Sequence, residues 1–504
     1  MSAVQTDSGS HPERRKRRVV SSFICTPPDD PKGFKVVIFK RSDKVHTYKG
    51  KWAACSGSIE LDDKDPLAAA KREIEEETNL NANDLTLLRA GKPFSIVDDS
   101  YDTEWTIYPF AFELKPGAKD VVIDWEHTES RFVPPAEVKD FETVPHLTMS
   151  LYRSVVGKDT AAGLKDLQQD HSSGARVLAT KAVQTLLKVV QGDDLAYATD
   201  VDSFWTGLRL AGWHLATNGR LSMGAAINYA VLSALDAIKG AQPLDSGVKL
   251  ADFKETAERC LTDAIHERDQ SGLHLADQFR SYLSRNRKDG PIHILTVSSS
   301  STVRQCLTRA LKEDPNLKVV LKVMESRPLF EGVSFISSFL EELGEEYSIA
   351  ERIHVEVASD VSAGILARDA DIVIIGADRI SEAGDVSNKT GSLAAALLAK
   401  ESNKDVRVLA LTEVEKVAGP GKTSEHVEEE NDRSELTEAW PLDEKEKKKF
   451  LGDGRVTVKN VYFEWVPAKY IDCYICEKGV LSTAEIGKQS RHVKELEDDL
   501  FGEL

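Results

Sequence analysis

The sequence predicts an α/β protein, and three observations carry that expectation. From residue 291 onward short apolar runs, IHILT, VVLKVM, IHVEVA, DIVIIG, VRVLAL and VTVKNVYF, alternate with helical stretches. Strands spaced in this way pair in parallel, with helices on both faces of a doubly wound, Rossmann-like sheet. Ahead of them, residues 175–286 carry long helical periodicities, at 175–190, 201–216, 222–238 and 250–268, so this stretch is mostly helical. The third observation is residues 65–78, DPLAAAKREIEEET, one well-marked helix in a first domain of different character.

That helix starts cleanly, because Asp65 is a good N-cap and Pro66 suits the first helical position. Leu67, Ala70 and Ile74 form its buried stripe. Glu73, Glu76 and Glu77 fall at i, i+3 and i+4 on a neighbouring face, where they repel one another and meet the negative end of the helix dipole. Arg72 neutralises one of them, and a divalent cation that prefers oxygen ligands, Mg2+ or Mn2+, is the economical partner for the rest. A solvated acidic face is the plain alternative. Residues 157–174, rich in Gly, Asp and Ser, read as a linker. In the parallel sheet, ligands are expected beyond the carboxyl ends of the strands. Four polar loops stand there: residues 298–301, residues 325–332 (ESRPLFEG), Asp360 and residues 376–379 (GADR). Each alone reads equally well as a helix cap. Residues 425–446 are strongly acidic, followed by a basic run at 445–449, and read as an exposed insertion.

Composition narrows the function classes. At 504 residues, with 41% hydrophobic and 29% charged residues, the chain is long enough for two to four globular domains. A net charge of -18 argues against a general nucleic-acid surface, whereas a local basic pocket still admits small phosphorylated ligands. Six cysteines scattered from Cys25 to Cys476 do not make a disulfide framework and fit a reducing compartment, so a cytoplasmic protein is expected. The Cys473 and Cys476 pair reads as core thiols on a strand, since no second pair completes a zinc site. No run approaches the roughly 18 apolar residues of a membrane span, and the N-terminus lacks a signal-peptide core. The basic run at 14–18 is either a nuclear address or a solvated lead-in to the first strand.

Arg72-Glu73-Ile74-Glu75-Glu76-Glu77 resembles the Arg-Glu-apolar-x-Glu-Glu core of the Nudix box, and the surroundings at 34–39, 51–58, 106–112 and 125–134 are similar to that family as well. The resemblance covers about residues 15–150 and implies an α/β/α Nudix sandwich at 15–155. It further implies metal-assisted hydrolysis of a nucleoside diphosphate derivative, with Glu73, Glu76 and Glu77 as metal ligands and one of them able to serve as base. The box departs from the family at three places. Its Gly falls on Ser58, with Gly57 beside it; its upstream Glu falls on Lys64, with Glu60 near enough to replace it; and its late Gly falls on Asn79.

Residues 325–332, 376–401 and 466–481 carry a second resemblance, over about residues 170–490. They look like the superfamily of the initiation factor 2B alpha, beta and delta subunits, methylthioribose-1-phosphate isomerase and ribose-1,5-bisphosphate isomerase. It implies a helical subdomain at 175–290 after a linker at 156–174, and a Rossmann-like subdomain at 291–487 with an acidic insertion at 422–450. Residues 1–14 are expected to be a disordered tail and 488–504 a charged one. The isomerases pair a Cys with the Asp of Gly-Ala-Asp; the Asp is kept as Asp378, whereas the Cys falls on Ser298 and an Arg of the phosphate turn on Ser173. Arg220, Arg327, Asn388 and Lys389 match positions that contact sugar phosphate. A hydrolase with a phosphorylated-ligand domain is therefore the preferred expectation, ahead of a sugar-phosphate isomerase and of a regulatory subunit that assembles with initiation factor 2B-like partners. A homodimer through the C-terminal domain is expected.

Overall fold

The computed structural model describes residues 14–504 except 28–29, 31–32, 171–172, 243–246, 287–288, 345–346 and 424–429. The chain forms two compact units, one closing at Ala161 and one running from Ala162 to Glu503.

The first unit is built on a mixed sheet of β1 (Arg15–Cys25), β2 (Val36–Arg41), β3 (Trp52–Ala53), β4 (Leu85–Ala90), β5 (Phe94–Asp98), β6 (Thr103–Leu114) and β7 (His127–Val133). Its order is β3-β2-β1-β6-β4, with β5 pairing β6 and β7 pairing β2. The long strands β1 and β6 run parallel, in register from Arg15 against Thr103 to Cys25 against Glu113. Alternate residues of β1 and β2 point to opposite faces. Ile24, Val37 and Phe39 therefore pack with Ala69, Ala70 and Ile74 of α1 (Pro66–Thr78). Phe23, Val36 and Ile38 pack instead with Leu147 and Leu151 of α2 (Leu147–Ser154). The result is a sheet between two helices, the α/β/α sandwich expected. The basic run belongs to the first strand itself, since Arg15 to Arg18 are ladder residues of β1.

The second unit begins in α3 (Lys158–Gln169) and continues through α4 (Ala175–Gln191), α5 (Val201–Asn218), α6 (Gly224–Ala241) and α7 (Leu250–Arg285). The stretch expected as a linker is thus largely helical, because Leu164 and Leu167 fall on one side of a turn and are buried. The Rossmann-like part follows as β8 (Ile292–Thr296), α8 (Ser301–Glu313), β9 (Val319–Met324), α9 (Glu331–Leu343), α10 (Tyr347–Ala350), β10 (Ile353–Ala358), α11 (Ala363–Ala367), β11 (Ile372–Ile375), β12 (Arg379–Ile380), β13 (Val386–Lys389), α12 (Ser392–Ser402), β14 (Arg407–Leu411), α13 (Arg433–Thr437), α14 (Glu444–Leu451), β15 (Phe463–Val466), β16 (Cys473–Cys476), β17 (Gly479–Leu481) and α15 (Thr483–Phe501). The main sheet runs β10-β9-β8-β11-β14-β16-β17, parallel except at the β16–β17 edge. One face packs on α7, α8 and α9 and the other on α11 and α12, as a doubly wound sheet requires.

Two expectations change here. VTVKNVYF is not the sixth parallel strand: only its end enters β15, which pairs antiparallel with β13 in a small sheet of β12, β13 and β15. The sixth parallel strand is β16, CYIC, whose thiols are free. Residues 488–504 are no charged tail, because Ile486, Val493, Leu496, Leu500 and Phe501 give α15 an apolar stripe that is buried. The expected tail at residues 1–13 and part of the acidic insertion, 424–429, lie outside the described residues.

Candidate functional site

In α1 the side chain of Asp65 accepts from the Ala68 N–H at 2.8 Å, and Asn79 closes the helix in the left-handed conformation, its N–H bonded to the Glu75 carbonyl. The helix so fixed presents its three glutamates in three environments. Glu76 is largely exposed, Glu73 is mostly enclosed and Glu77 is buried at 4% exposure. Arg72 gathers the acidic groups. It donates to Asp63 through Nε (3.2 Å) and Nη2 (2.9 Å), to Glu73 (2.8 Å) and Glu76 (3.2 Å) through Nη1, and to the Ser58 carbonyl (3.1 Å). Asp63, which the sequence reading passed over, is thus Arg72's bidentate partner, and the guanidinium holds its carboxyl below the usual range. Lys64 is exposed, and Glu60 lies on the wall of the neighbouring cavity.

Gly57 meets the Glu73 carboxylate so closely that a Cβ there would lie 2.1 Å from it. The displaced glycine of the box is therefore the one the packing requires. Glu77 accepts from the Ser56 N–H at 3.2 Å through Oε1, whereas Oε2 is buried without a hydrogen-bond partner, 3.7 Å from His127 Nε2. His127 is itself buried, with Nδ1 3.3 Å from Asp124, and burial pulls its pKa down. Burial pushes the Glu77 carboxyl well up, and raises Glu73 and Glu126 as well; Glu73 and Glu126 add their charge against Glu77. Among the described residues no three His, Cys, Asp or Glu side chains are drawn together closely enough to hold a metal ion, since Arg72 compensates the acidic groups instead. The donor chemistry nevertheless suits a hard cation: the orphaned, buried carboxylate oxygen of Glu77 stands among the like charges of Glu73 and Glu126, with the His127 imidazole 3.7 Å away. Beside these groups lies a cavity of about 500 Å3, its wall shared by Arg72, Glu73 and Glu76 of α1 with Leu147 and Ser150 of α2.

In the second unit the strand order places β8 next to β11, where the winding reverses, the point of an open α/β sheet at which ligands bind beyond the carboxyl ends of the strands. Ser298 sits there at φ 69°. Its N–H donates to the Ser326 hydroxyl (2.7 Å), and its own hydroxyl donates to Glu331 Oε2 (3.1 Å). Glu331 Oε1 pairs with Lys389 Nζ at 3.0 Å, and that ammonium also lies over the Tyr462 and Phe463 rings. Asp378 is mostly enclosed; burial pushes its carboxyl up against the pull of Lys416, Lys389 and Arg220. Lys416 is a buried cation paired with Glu413 at 2.8 Å. Asn388 is buried and donates to Ser392 (2.8 Å). Arg220 is buried, donating to the Asp170 carbonyl at 2.9 Å, while Ser173 bonds the Asp170 side chain through its N–H. The structure thus brings Asp378, Lys389, Arg220 and Ser298 into one electrostatic neighbourhood. Arg327 is exposed and lines a small cleft together with Glu331 and Lys389, its backbone N–H held by Asp360. Glu331, Glu413 and Lys416 were missed in the sequence. The only signal for the last two was an ionisable E-V-E-K stretch directly after a strand.

Residues 15–150 match the NUDIX domain, and residues 171–483 match the initiation factor 2 subunit family. The methylthioribose-1-phosphate isomerase of Syntrophotalea carbinolica is 33% identical over 168 residues, 32% of this chain and 44% of that protein. The ribose 1,5-bisphosphate isomerase of Haloferax volcanii is 29% identical over 223 residues, 42% of this chain and 62% of that protein. The chain thus spans less than two thirds of the length of these curated relatives. The tetrameric eIF2B-beta2-delta2 complex from C. thermophilum shares the fold of the second unit, at TM-score 0.50 and 16% identity, over 66% of this chain and 94% of that one. Because more than half of its length matches, the chain belongs to the initiation factor 2 subunit family, and it carries a NUDIX domain ahead of that family's domain.

Proposed function

We propose that the chain is a two-domain metabolic protein: a metal-dependent pyrophosphohydrolase of a nucleoside diphosphate derivative at 15–155, joined to a sugar-phosphate- or nucleotide-binding domain at 175–487. The observation that carries the hydrolase reading is the set of acidic groups around buried Glu77, where burial and the charges of Glu73 and Glu126 push its carboxyl up, beside a cavity of about 500 Å3 that Glu73, Glu76 and Glu126 line. Glu73, Glu76 and Glu77 would hold Mg2+ or Mn2+, the cations NUDIX domains generally use. When bound, such a cation polarises a phosphoryl oxygen and acidifies water. The chain's own part is to place the carboxylates. Arg72 orients Glu73 and Glu76, the Ser56 N–H orients Glu77, and one of the three glutamates takes the proton of the attacking water, Glu76 being the most exposed of them. The test is release of product from ADP-ribose, nucleoside diphosphate sugars and dinucleoside polyphosphates with Mg2+ or Mn2+. Wild type is expected to turn over at least one of them, and Glu76→Gln, Glu77→Gln none; equal rates would sink the reading.

A second reading, sugar-phosphate isomerisation by the larger unit, draws on enclosed Asp378 and on Ser298, whose hydroxyl donates to Glu331. A hydroxyl so held still ionises far above a thiol, so slow isomerisation is expected at best. Turnover of ribose-1,5-bisphosphate or methylthioribose-1-phosphate that is lost in Asp378→Asn would establish it. As in the multi-subunit complex of its relative, assembly is part of the proposal. A homodimer through the C-terminal domain should appear in light scattering, and co-purification with initiation factor 2B-like subunits would favour a regulatory role.

A further inference from the structure

We infer that Glu331 is a catalytic base of the second unit, the group that lifts a proton from C2 of a ribose ring bearing phosphate on C1 and sets it down on C1. The inference deepens the isomerase reading, rests on it, and gives it the base that the Ser298 hydroxyl cannot supply. Glu331 opens α9, and its place is fixed from two sides. Gly332 behind it packs so tightly on β9 that a Cβ there would lie 1.9 Å from the Met324 carbonyl, and the Glu331 N–H donates to the Ser326 carbonyl at 3.3 Å. Ser326 in turn accepts from the Ser298 N–H through its hydroxyl, which joins the Ser298 loop to the start of α9. The Glu331 carboxylate is held at both oxygens, by Ser298 Oγ at 3.1 Å and by Lys389 Nζ at 3.0 Å. Its side chain is still 26% exposed, and it lines a cleft with Arg327 and Lys389. A ligand that reaches this cleft therefore meets the carboxylate directly.

Two carboxyls share one cation here, since Lys389 pairs with Glu331 and also acts on Asp378, whose protonated form burial favours. One is thus a paired carboxylate, fit to accept a proton, and the other is suited to give one, two roles set by environment. Phosphate arriving at Lys389 and Arg327 takes over the cation and frees the Glu331 carboxylate beside the sugar. Glu331 then removes the C2 proton; the electron pair left behind forms the C1–C2 double bond, and the bond from C1 to the ring oxygen breaks as that oxygen takes the Asp378 proton. The 2-hydroxyl next gives its proton to Asp378 while its oxygen becomes the carbonyl, and the C1–C2 electron pair takes the proton of Glu331 at C1. Both carboxyls end as they began, and no oxidant or reductant is consumed.

Turnover of ribose-1,5-bisphosphate by the full chain in D2O is the test, read for rate and for deuterium in the product. Wild type is expected to form the ketose with solvent deuterium at C1. Glu331→Gln should lower kcat at least about 100-fold, the usual worth of a general base, while calorimetry shows the sugar phosphate still bound. Ser298→Ala, which spares the carboxylate, should cost at most about tenfold, the usual worth of one hydrogen bond. Product without solvent deuterium, binding lost together with rate in Glu331→Gln, or a larger loss in Ser298→Ala than in Glu331→Gln overturns the assignment. Turnover that is lost in Asp378→Asn and kept in Glu331→Gln refutes the role of Glu331 alone and leaves the isomerase reading standing. A wild type that forms no ketose from this substrate or from methylthioribose-1-phosphate refutes both.

Discussion

Gly57 shows how one missing Cβ can decide a site. The family's glycine position carries Ser58 here, but the carboxylate of Glu73 packs against Gly57, and any side chain there would collide with it at 2.1 Å. Gly57→Ala is therefore expected to push Glu73 aside and lower kcat by roughly 100-fold, the penalty of about 1 Å of misplacement. Its circular dichroism and melting should stay near wild type; unchanged kcat would show that Glu73 tolerates the shift. Glu413 makes the opposite point, about a buried charge. Burial would push its carboxyl up, but Lys416 at 2.8 Å holds it below its ordinary value of 4.5. A depressed carboxyl binds its proton less readily in the folded than in the unfolded state, so its stabilisation is complete above the unfolded value and lost as pH falls through the folded one. Glu413→Gln strands the Lys416 cation and should cost about 3–5 kcal/mol in urea unfolding at pH 7. The gap from wild type should narrow below pH 4.5, where the wild-type carboxyl also takes up its proton.

Among the helices, α15 is the one whose sequence misled most. Its charges suggested a solvated tail, yet Asn228 donates to Glu497 at 2.6 Å, Lys239 pairs with Asp499 at 2.6 Å and Arg209 donates to the Leu500 carbonyl at 3.1 Å. Those polar contacts flank an apolar stripe that packs on α5 and α6. Removing residues 483–504 would bare that surface, and the truncated chain is expected to aggregate or to melt at least 10 °C lower; a soluble product with unchanged melting would restore the tail reading. The helix α3 is a milder case of the same kind. Two leucines among Gly, Asp and Lys were enough to bury one face, and a composition that reads as a linker carries no record of the surface waiting for it. By contrast α1 was legible in full, because its Asp65 cap, its Pro66 start and its Asn79 stop are local signals that depend on no partner.

For the whole chain, the two units each have an apolar core of their own, and the acidic groups of α1 and the groups around Asp378 belong to different units. The proposed function then makes them separable by mutation. Glu76→Gln, Glu77→Gln should abolish hydrolysis while leaving sugar-phosphate binding by the second unit unaltered. Glu331→Gln, which removes the internal anion from Lys389, should strengthen that binding about tenfold and leave hydrolysis unchanged. Calorimetry with ribose-1,5-bisphosphate beside a hydrolase assay reads both, and any cross-effect would mean that the units are coupled. Among the described residues no helix is long and apolar enough to cross a membrane, and all six cysteines are free.

Legible in the order of residues is the part written in local patterns: the α/β class, the capped acidic helix that carries Glu73, Glu76 and Glu77, and most of the parallel strands, with Asp378 just after one of them. Periodicity, caps and short motifs depend on residues a few places apart, so one chain read in order suffices. The tertiary structure alone decided which strand closes the sheet, that α15 is core, and which groups compensate which charges. Asp63 with Arg72, Glu331 with Ser298 and Lys389, and the orphaned oxygen of Glu77 are the cases in point. Burial and the energy of a charge depend on neighbours brought in from far along the chain, and no pattern of adjacent residues encodes them.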